Sequence, residues 1–468
     1  MLLKNQIAKD SESIVARCTP KGSGAIALLR ISGDNAFGVV SQFSKLSSSK
    51  IFSDLKTHTI HHGFIYDSHE QIDEVLFFVM RAPKTFTGQD VIEISCHNNQ
   101  FIIEKTIELA INAGARLAGP GEFTQRAFLN NKIDLVQAES INEIINAQTQ
   151  LALRKSMSQL KGSLSSFVLN IEEEIFSILS LVESSFEFFE EEQDDFDINN
   201  LIRTKIDQVL EKLKSLKVNF NQQQQIKNGI KICLIGSVNT GKSTLFNALL
   251  KQDRAIVTDI AGTTRDIIES SLYKNGNFWQ LTDTAGLRLT NDFIEKQGIE
   301  RSMQQAALAD IILLIFDSST ELLKEQFDVY QQIFENYTKK IILILNKVDI
   351  KKQVLLDKLY ENFDQKFLAI SAKNNLGLDK LENLIENKVQ ELFSELNSPF
   401  LLNQRQYALM LELIDGFNFI KNNLLKNFEY ELVSHHMKQM LESISDLTGR
   451  NINEKMLDKV FSEFCVGK

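Results

Sequence analysis

KICLIGSVNTGKSTLFNALL, residues 231–250, decides how this chain is read. An apolar, strand-like run over residues 230–235 leads into GSVNTGKS at residues 236–243, and an apolar helical pattern follows. A strand, a glycine-bearing loop and a helix in that order are the setting in which a GxxxxGK[ST] loop holds phosphate. The glycines let backbone N–H groups close around phosphate oxygens, and the helix N-terminus adds a favourable dipole. Lys242 is expected to reach the β- and γ-phosphates and the Ser243 hydroxyl to bind magnesium. Asn239, Thr240, Gly241 and Thr244 complete the expected phosphate-binding set.

Three further elements follow in a consistent order. Asp283-Thr284-Ala285-Gly286 ends the strand-like run 278–281; the Asp suits magnesium and the Gly286 N–H suits the γ-phosphate. Asn346-Lys347-Val348-Asp349 follows the apolar run 341–345, where a carboxylate accepts from both the ring N–H and the amino group of guanine. Adenine leaves that carboxylate unpaired, which supports discrimination by orders of magnitude. Ser371-Ala372-Lys373 closes the last strand-like run and fits guanine backing. Between the first two elements lies TDIAGTTRD, residues 258–266, with Thr258, Thr263 and Thr264 as nucleotide-binding candidates. Thr264 is the expected switch threonine on magnesium; such segments order with the γ-phosphate and relax after hydrolysis. Four motifs in series on the right elements point to GTP.

One absence is informative. Ras-like proteins carry a Gln after Asp-x-x-Gly to orient the attacking water, but here that place is Leu287. Glu295, in the polar stretch that follows, is the candidate to replace it, beside Lys242 and Arg265 as catalytic residues. No arginine finger is evident. Asn239 offers a carbonyl oxygen close to the phosphates, and a monovalent cation held there and by switch carbonyls can stabilise developing charge.

The 468 residues allow two to four domains, and 43% hydrophobic with 24% charged residues is an ordinary globular balance. The first residues lack a secretory h-region and no apolar run is long enough to span a bilayer, so a cytoplasmic location is expected. Four cysteines without CxxC spacing read as free thiols. The net charge of −10 argues against non-specific nucleic-acid binding. Residues 1–132 carry 14 basic and 13 acidic side chains, whereas residues 133–226 carry 8 and 16, so the acidity is concentrated centrally. Any RNA contact must therefore use local patches or a partner protein.

The four prolines are Pro20, Pro83, Pro120 and Pro399, and Gly162 is the one glycine within residues 122–228. So breaker-poor a stretch reads as long helices. The first third mixes β-rich runs (26–31, 75–80, 91–95) with helical segments. From Gly229 short buried-strand runs alternate with helices, the pattern of a parallel, doubly wound sheet, and helical patterning returns after about residue 385. The expectation is an α/β multidomain chain: an N-terminal α/β domain over 1–132, a helical domain over 133–226 and 385–468, and an inserted Ras-like P-loop G domain over 227–384.

With these motifs in place, the chain resembles the MnmE (TrmE) family of tRNA modification GTPases from about residue 14 to the end. The resemblance is carried by residues 14–20 and 28–33, TFTGQDVIE (85–93), PGEFTQRAFLNNKIDLVQA (120–138), GTTRD (262–266), DTAGLR (283–288) and the terminal FCVGK (464–468). It implies an N-terminal domain that dimerises and binds a 5-formyltetrahydrofolate-type carrier through Arg30, Glu93, Lys132 and Lys468. It implies potassium on Asn239 and on the Thr258, Ile260 and Thr263 backbone, magnesium on Ser243 and Thr264, and water positioned by Glu295. It also implies a homodimer that works with the flavoprotein MnmG, as a heterotetramer, to add an aminomethyl-type group to the wobble uridine of certain tRNAs. A role for Cys465 in modification comes from the same resemblance, although a buried small hydrophobe is its ordinary reading. The family continues after Glu93 to His-Gly-Gly where this chain has His97-Asn98-Asn99. The alternative is a ribosome-assembly or RNA-binding regulatory GTPase, which calls for a KH-like GXXG or a basic RNA domain that the chain lacks. A membrane-remodelling GTPase calls for basic amphipathic helices, and the helical segments here are acidic.

Overall fold

The computed structural model describes residues 12–187, 195–218, 220, 227, 229–252, 268–274, 276–283, 303–320, 324–350, 363, 365–394, 398–425 and 429–467. These described residues fall into two compact units, one drawn from within 1–142, 159–207 and 415–468 and the other from within 143–158 and 208–414.

The first unit holds strands β1 (Ile14–Arg17), β2 (Ile26–Ser32), β3 (Ser44–Leu46), β4 (Thr59–Asp67), β5 (Glu70–Met80), β6 (Val91–His97) and β7 (Arg116–Leu117). They make one sheet in the order β3-β4-β5-β6-β2-β1-β7, antiparallel except for β1 beside β7. Helices α1 (Ala36–Phe43) and α2 (Gln100–Asn112) cover one face. Alternation does the sorting: Ala27, Leu29 and Ile31 of β2 and Ile92, Ile94 and Cys96 of β6 pack with Val39, Val40 and Ile103. Arg30 and Glu93, between them in sequence, therefore face the opposite side. The His97-Asn98-Asn99 turn has its own chemistry. Asn98 Nδ2 donates to the Gly22 and Gly24 carbonyls, and the Asn99 side chain caps α2 by accepting from Phe101 N–H at 2.9 Å.

After α3 (Glu122–Leu129) come α4 (Leu135–Asn146), α5 (Gln150–Leu160), α6 (Ser163–Glu187) and α7 (Asp195–Val218), the long helices expected of a breaker-poor stretch. In the first unit α6 buries Ile171, Ile175, Ile178 and Val182 at helical spacing. It lies against α12 (Tyr430–Thr448), which buries Val433, Met437, Met440 and Ile444. Helix α13 (Glu454–Ser462) then brings Phe461 and Phe464 onto Phe128 and Leu135, and Val466 forms a bridge with Pro120.

The second unit is built on β8 (Ile230–Gly236), β9 (Ile268–Lys274), β10 (Asn277–Asp283), β11 (Ile311–Asp317), β12 (Ile341–Asn346) and β13 (Leu368–Ala369), with α8 (Lys242–Gln252), α9 (Lys324–Tyr337), α10 (Leu378–Ser394) and, up to residue 414, α11 (Gln404–Phe419). The sheet order is β13-β12-β11-β8-β10-β9. Both faces are covered, which is why the strands read as unbroken apolar runs. Ile232 and Leu234 meet Leu245 and Leu249 of α8 and Leu381 of α10; Cys233 and Ile235 meet Ile333 and Phe334 of α9. The sheet is parallel except at its β9 edge, which pairs antiparallel with β10. Too few residues join β9 to β10 for a crossover, so only a hairpin fits. Thr149 makes a bridge to Asn277 at that hairpin, with Gln150 N–H donating to Gly276 O at 2.6 Å and Phe278 N–H to Gln148 O at 3.1 Å.

Candidate guanine-nucleotide site and the N-terminal cleft

Parallel strands place their C-terminal ends on one edge of the second sheet, and the motif residues stand there. Asp283, Asp317 and Asn346 close β10, β11 and β12, and Gly236 closes β8. Asp317 pairs with Asn346 in register, and Asp283 with Leu234. The loop after β8 turns through left-handed conformations at Asn239 (φ 66°) and Gly241 (φ 91°), alternation that turns successive N–H groups inward. A Cβ on Gly241 would stand 2.4 Å from Asn346 Nδ2, so this position admits only hydrogen. Ser237 O is the hub of the turn: it accepts from Thr240 Oγ1 at 2.9 Å and from Lys242 Nζ at 2.7 Å. Lys242 Nζ also donates to Gly236 O at 2.7 Å, so its ammonium lies across the mouth of the loop. Ser243 and Thr244 follow in the first turn of α8.

Asn346, 1% exposed, joins two of the predicted motifs. Its Nδ2 donates to Thr240 O at 2.8 Å and its Oδ1 accepts from Ala372 N–H at 3.0 Å, tying the phosphate loop to the Ser371-Ala372-Lys373 segment. Asp349 is held below the ordinary carboxylate range, chiefly by a hydrogen bond from Ser371. It therefore stays charged at neutral pH and can accept from two N–H donors. Lys347, at φ 63°, places Nζ 2.6 Å from Asp317 Oδ2. Burial would raise the Asp317 carboxyl, but the hydrogen bonds from Lys347 and Ser319 outweigh it and hold it low. The sequence reading missed Asp317. Its signal was an acid closing the apolar run 311–316 at the same strand end as Asp283 and Asn346.

The first unit gathers other predicted residues. Arg30 and Glu93 are directly paired across β2 and β6, with Arg30 Nε 2.7 Å from Glu93 Oε1 and the guanidinium 5.3 Å from the Phe123 ring centroid. The C-terminal segment comes to them: Gly467 O accepts from Cys18 Sγ at 3.2 Å and from Arg30 Nη1 at 3.4 Å. Gly467 has φ 95°, and a Cβ there would lie 2.4 Å from Arg17 O. Cys18, whose thiol is pushed up by burial, was not among the predicted site residues; only its distance in space from the terminus, 449 positions away in sequence, makes it visible. Lys132 Nζ donates to Pro83 O. All four cysteines are free, and Cys465 is exposed rather than buried, because Phe464 turns into the core beside it. Thr258, Ile260, Thr263, Thr264, Arg265, Gly286, Leu287, Glu295 and Lys468 lie outside the described residues. Among those described, no helix is long and apolar enough to cross a membrane.

Residues 13–132 match the family described as "GTP-binding protein TrmE N-terminus", and residues 135–465 match "MnmE helical domain". The tRNA modification GTPase MnmE of Flavobacterium johnsoniae is 37% identical over 473 residues, covering 98% of this chain and 100% of that protein. The protein of that name from Aquifex aeolicus is 37% identical over 459 residues, with 98% and 100% covered. A solved structure of Era with MgGDPNP and a 16S ribosomal RNA segment is 26% identical, covers 34% of this chain and 56% of its own, and superposes with a TM-score of 0.28. With family matches over residues 13–132 and 135–465, and relatives that cover 98% of its length, the chain belongs to the MnmE (TrmE) family of tRNA modification GTPases.

Proposed function

We propose that this GTPase works in the cytoplasm, hydrolyses GTP in a magnesium- and potassium-dependent manner and, with the flavoprotein MnmG and a tetrahydrofolate one-carbon donor, adds an aminomethyl or carboxymethylaminomethyl group to C5 of the wobble uridine of certain tRNAs. The observation that carries the reading is the convergence of the 236–243 loop, Asn346, Asp349 and the 371–373 segment on one sheet edge, with Asn346 bonded to both loops. Magnesium, when bound, would take the Ser243 and Thr264 hydroxyls and neutralise phosphate charge. Potassium would sit on Asn239 and on the Thr258, Ile260 and Thr263 carbonyls. Lys242 then holds the phosphates, Asp349 selects guanine, Glu295 orients water, and Arg265 is a further catalytic residue.

The Arg30–Glu93 pair over Phe123 suits an aromatic, polyanionic carrier: a carboxylate for amino-pterin N–H groups, cations for glutamyl carboxylates, and a ring to stack on. Lys132 and Lys468 would complete that pocket, and the exposed Cys465 would take part in the modification. The homodimer is supported by the sheet face opposite α1 and α2, where Ile26, Ile60 and Leu76 are 63%, 60% and 41% exposed. Domains at 1–132, 133–226 with 385–468, and 227–384 accompany this reading.

The deciding experiment is nucleoside mass spectrometry of bulk tRNA from cells lacking the protein. Loss of 5-substituted wobble uridines, restored by the wild type but not by Lys242→Ala, is expected. An unchanged nucleoside profile would overturn the modification reading while leaving the GTPase in place.

A further inference from the structure

Helix α9 buries Tyr330, Ile333 and Phe334 at helical spacing against the sheet. The Tyr330 ring meets Phe316 of β11 edge-on, with centroids 4.9 Å apart at 80°, and Phe316 is in turn edge-on to Phe363 and Phe367. For that packing a phenylalanine would serve equally well. The hydroxyl is what packing does not explain, since a buried phenol is tolerated only when it finds a partner. Its partner is the phosphate loop: Tyr330 Oη lies 2.8 Å from Ser237 Oγ. Burial pushes this phenol up to about 12, so it stays protonated throughout the neutral range.

Ser237 is the residue whose carbonyl receives both Thr240 Oγ1 and Lys242 Nζ. Holding its side chain therefore sets the direction of the carbonyl around which the loop turns. Three anchors then fix the loop. Gly236 is pressed against Ile315 O, where a Cβ would stand at 2.8 Å; Thr240 O is held by Asn346; and Ser237 is held by Tyr330. The first two belong to the nucleotide motifs themselves. The third comes from a helix that carries none of them.

Given the reading of residues 236–243 as the phosphate loop, we infer that Tyr330 is a positioning residue for the nucleotide: its hydroxyl pre-orders the loop through Ser237 before phosphate arrives. A loop already held in its binding geometry spends less of the interaction on ordering, so the contribution appears in nucleotide affinity rather than in the chemical step. GTP and GDP benefit alike, because Ser237 stands at the start of the cradle that both share.

The test is a double-mutant cycle on the full chain with fluorescent GDP and a fluorescent non-hydrolysable GTP analogue. Tyr330→Phe is expected to weaken both nucleotides by about 3- to 10-fold, the range of one hydrogen bond. KM for GTP should rise by the same factor, with kcat at saturation changed less than about twofold. Ser237→Ala should reproduce the loss, and the double variant should be no weaker than either single one. Phe334→Leu, on the same helix but away from the hydroxyl, should lower Tm without changing affinity. Wild-type affinity in Tyr330→Phe, multiplying effects in the double variant, or equal weakening by Phe334→Leu would each overturn the inference. Lys242→Ala separates the two layers. If it binds nucleotide like the wild type, the phosphate-loop reading itself fails; if it loses binding and Tyr330→Phe does not, only the positioning role fails.

Discussion

At the scale of single residues, the nucleotide site depends on atoms that leave no room for variation. Gly241 combines a left-handed φ of 91° with a Cβ direction blocked by Asn346 Nδ2 at 2.4 Å. Gly241→Ala must strain the backbone and displace the amide that joins two motifs. The expected cost is about 2–4 kcal/mol, or at least about 30-fold in nucleotide affinity by titration calorimetry. Asn239 lies on the same turn with its own left-handed φ of 66°. Asparagine tolerates that conformation better than most residues, so its occurrence there has a backbone reason as well as the proposed cation reason. Asn239→Gly separates them by keeping the turn and deleting the carbonyl. Potassium stimulation should vanish while GDP affinity holds within about threefold; equal hydrolysis in sodium and potassium by the wild type would remove the cation from the mechanism.

At the scale of elements, the connection from β7 into α3 is held by charge. Glu122 accepts from Arg116 at 2.6 and 2.8 Å, from Arg126 at 3.1 Å and from Gly119 N–H at 2.9 Å. Burial would raise this carboxyl, but the Arg116 hydrogen bonds, the Gly119 N–H and Arg126 outweigh it and lower it. A lowered carboxylate stabilises the fold fully above its unfolded pKa of about 4.3, and that stability fades as pH falls through the lower folded value. Glu122→Gln should therefore melt below the wild type at pH 7, and the gap should close once the pH is well below about 4. A gap of constant size across that range would show that the charge is not the source. The sequence pattern does not reveal this ion network, because Arg116 and Glu122 lie on either side of a turn whose path only the fold sets.

At the scale of the whole molecule, the exposed apolar part of the N-terminal sheet face is the feature with the widest consequence. Ile26, Ile60 and Leu76 project from β2, β4 and β5 on the side that α1 and α2 leave open. A charge placed there does not disturb the packed core but opposes burial against a second copy. Leu76→Glu is expected to halve the mass seen by light scattering while leaving GDP affinity unchanged. A wild-type monomer, or a variant that stays dimeric, would exclude this face as the dimer interface.

Much of this was legible in the chain itself. A phosphate loop announces itself because its chemistry is local: the glycines, lysine and hydroxyl that hold a phosphate lie within eight consecutive residues, 236–243. The parallel sheet was legible for a similar reason, since strands buried on both faces must be apolar throughout, as β11 and β12 are. What the sequence could not show is whatever depends on two distant segments meeting. The antiparallel β9 edge, the docking of Gly467 beside Cys18 and Arg30, the exposure of Cys465, the Asp317–Lys347 pair and the Tyr330 hydroxyl on Ser237 are all of this kind. Each is decided by register, helix phase or the path of a turn, quantities that only the packing of the whole chain sets.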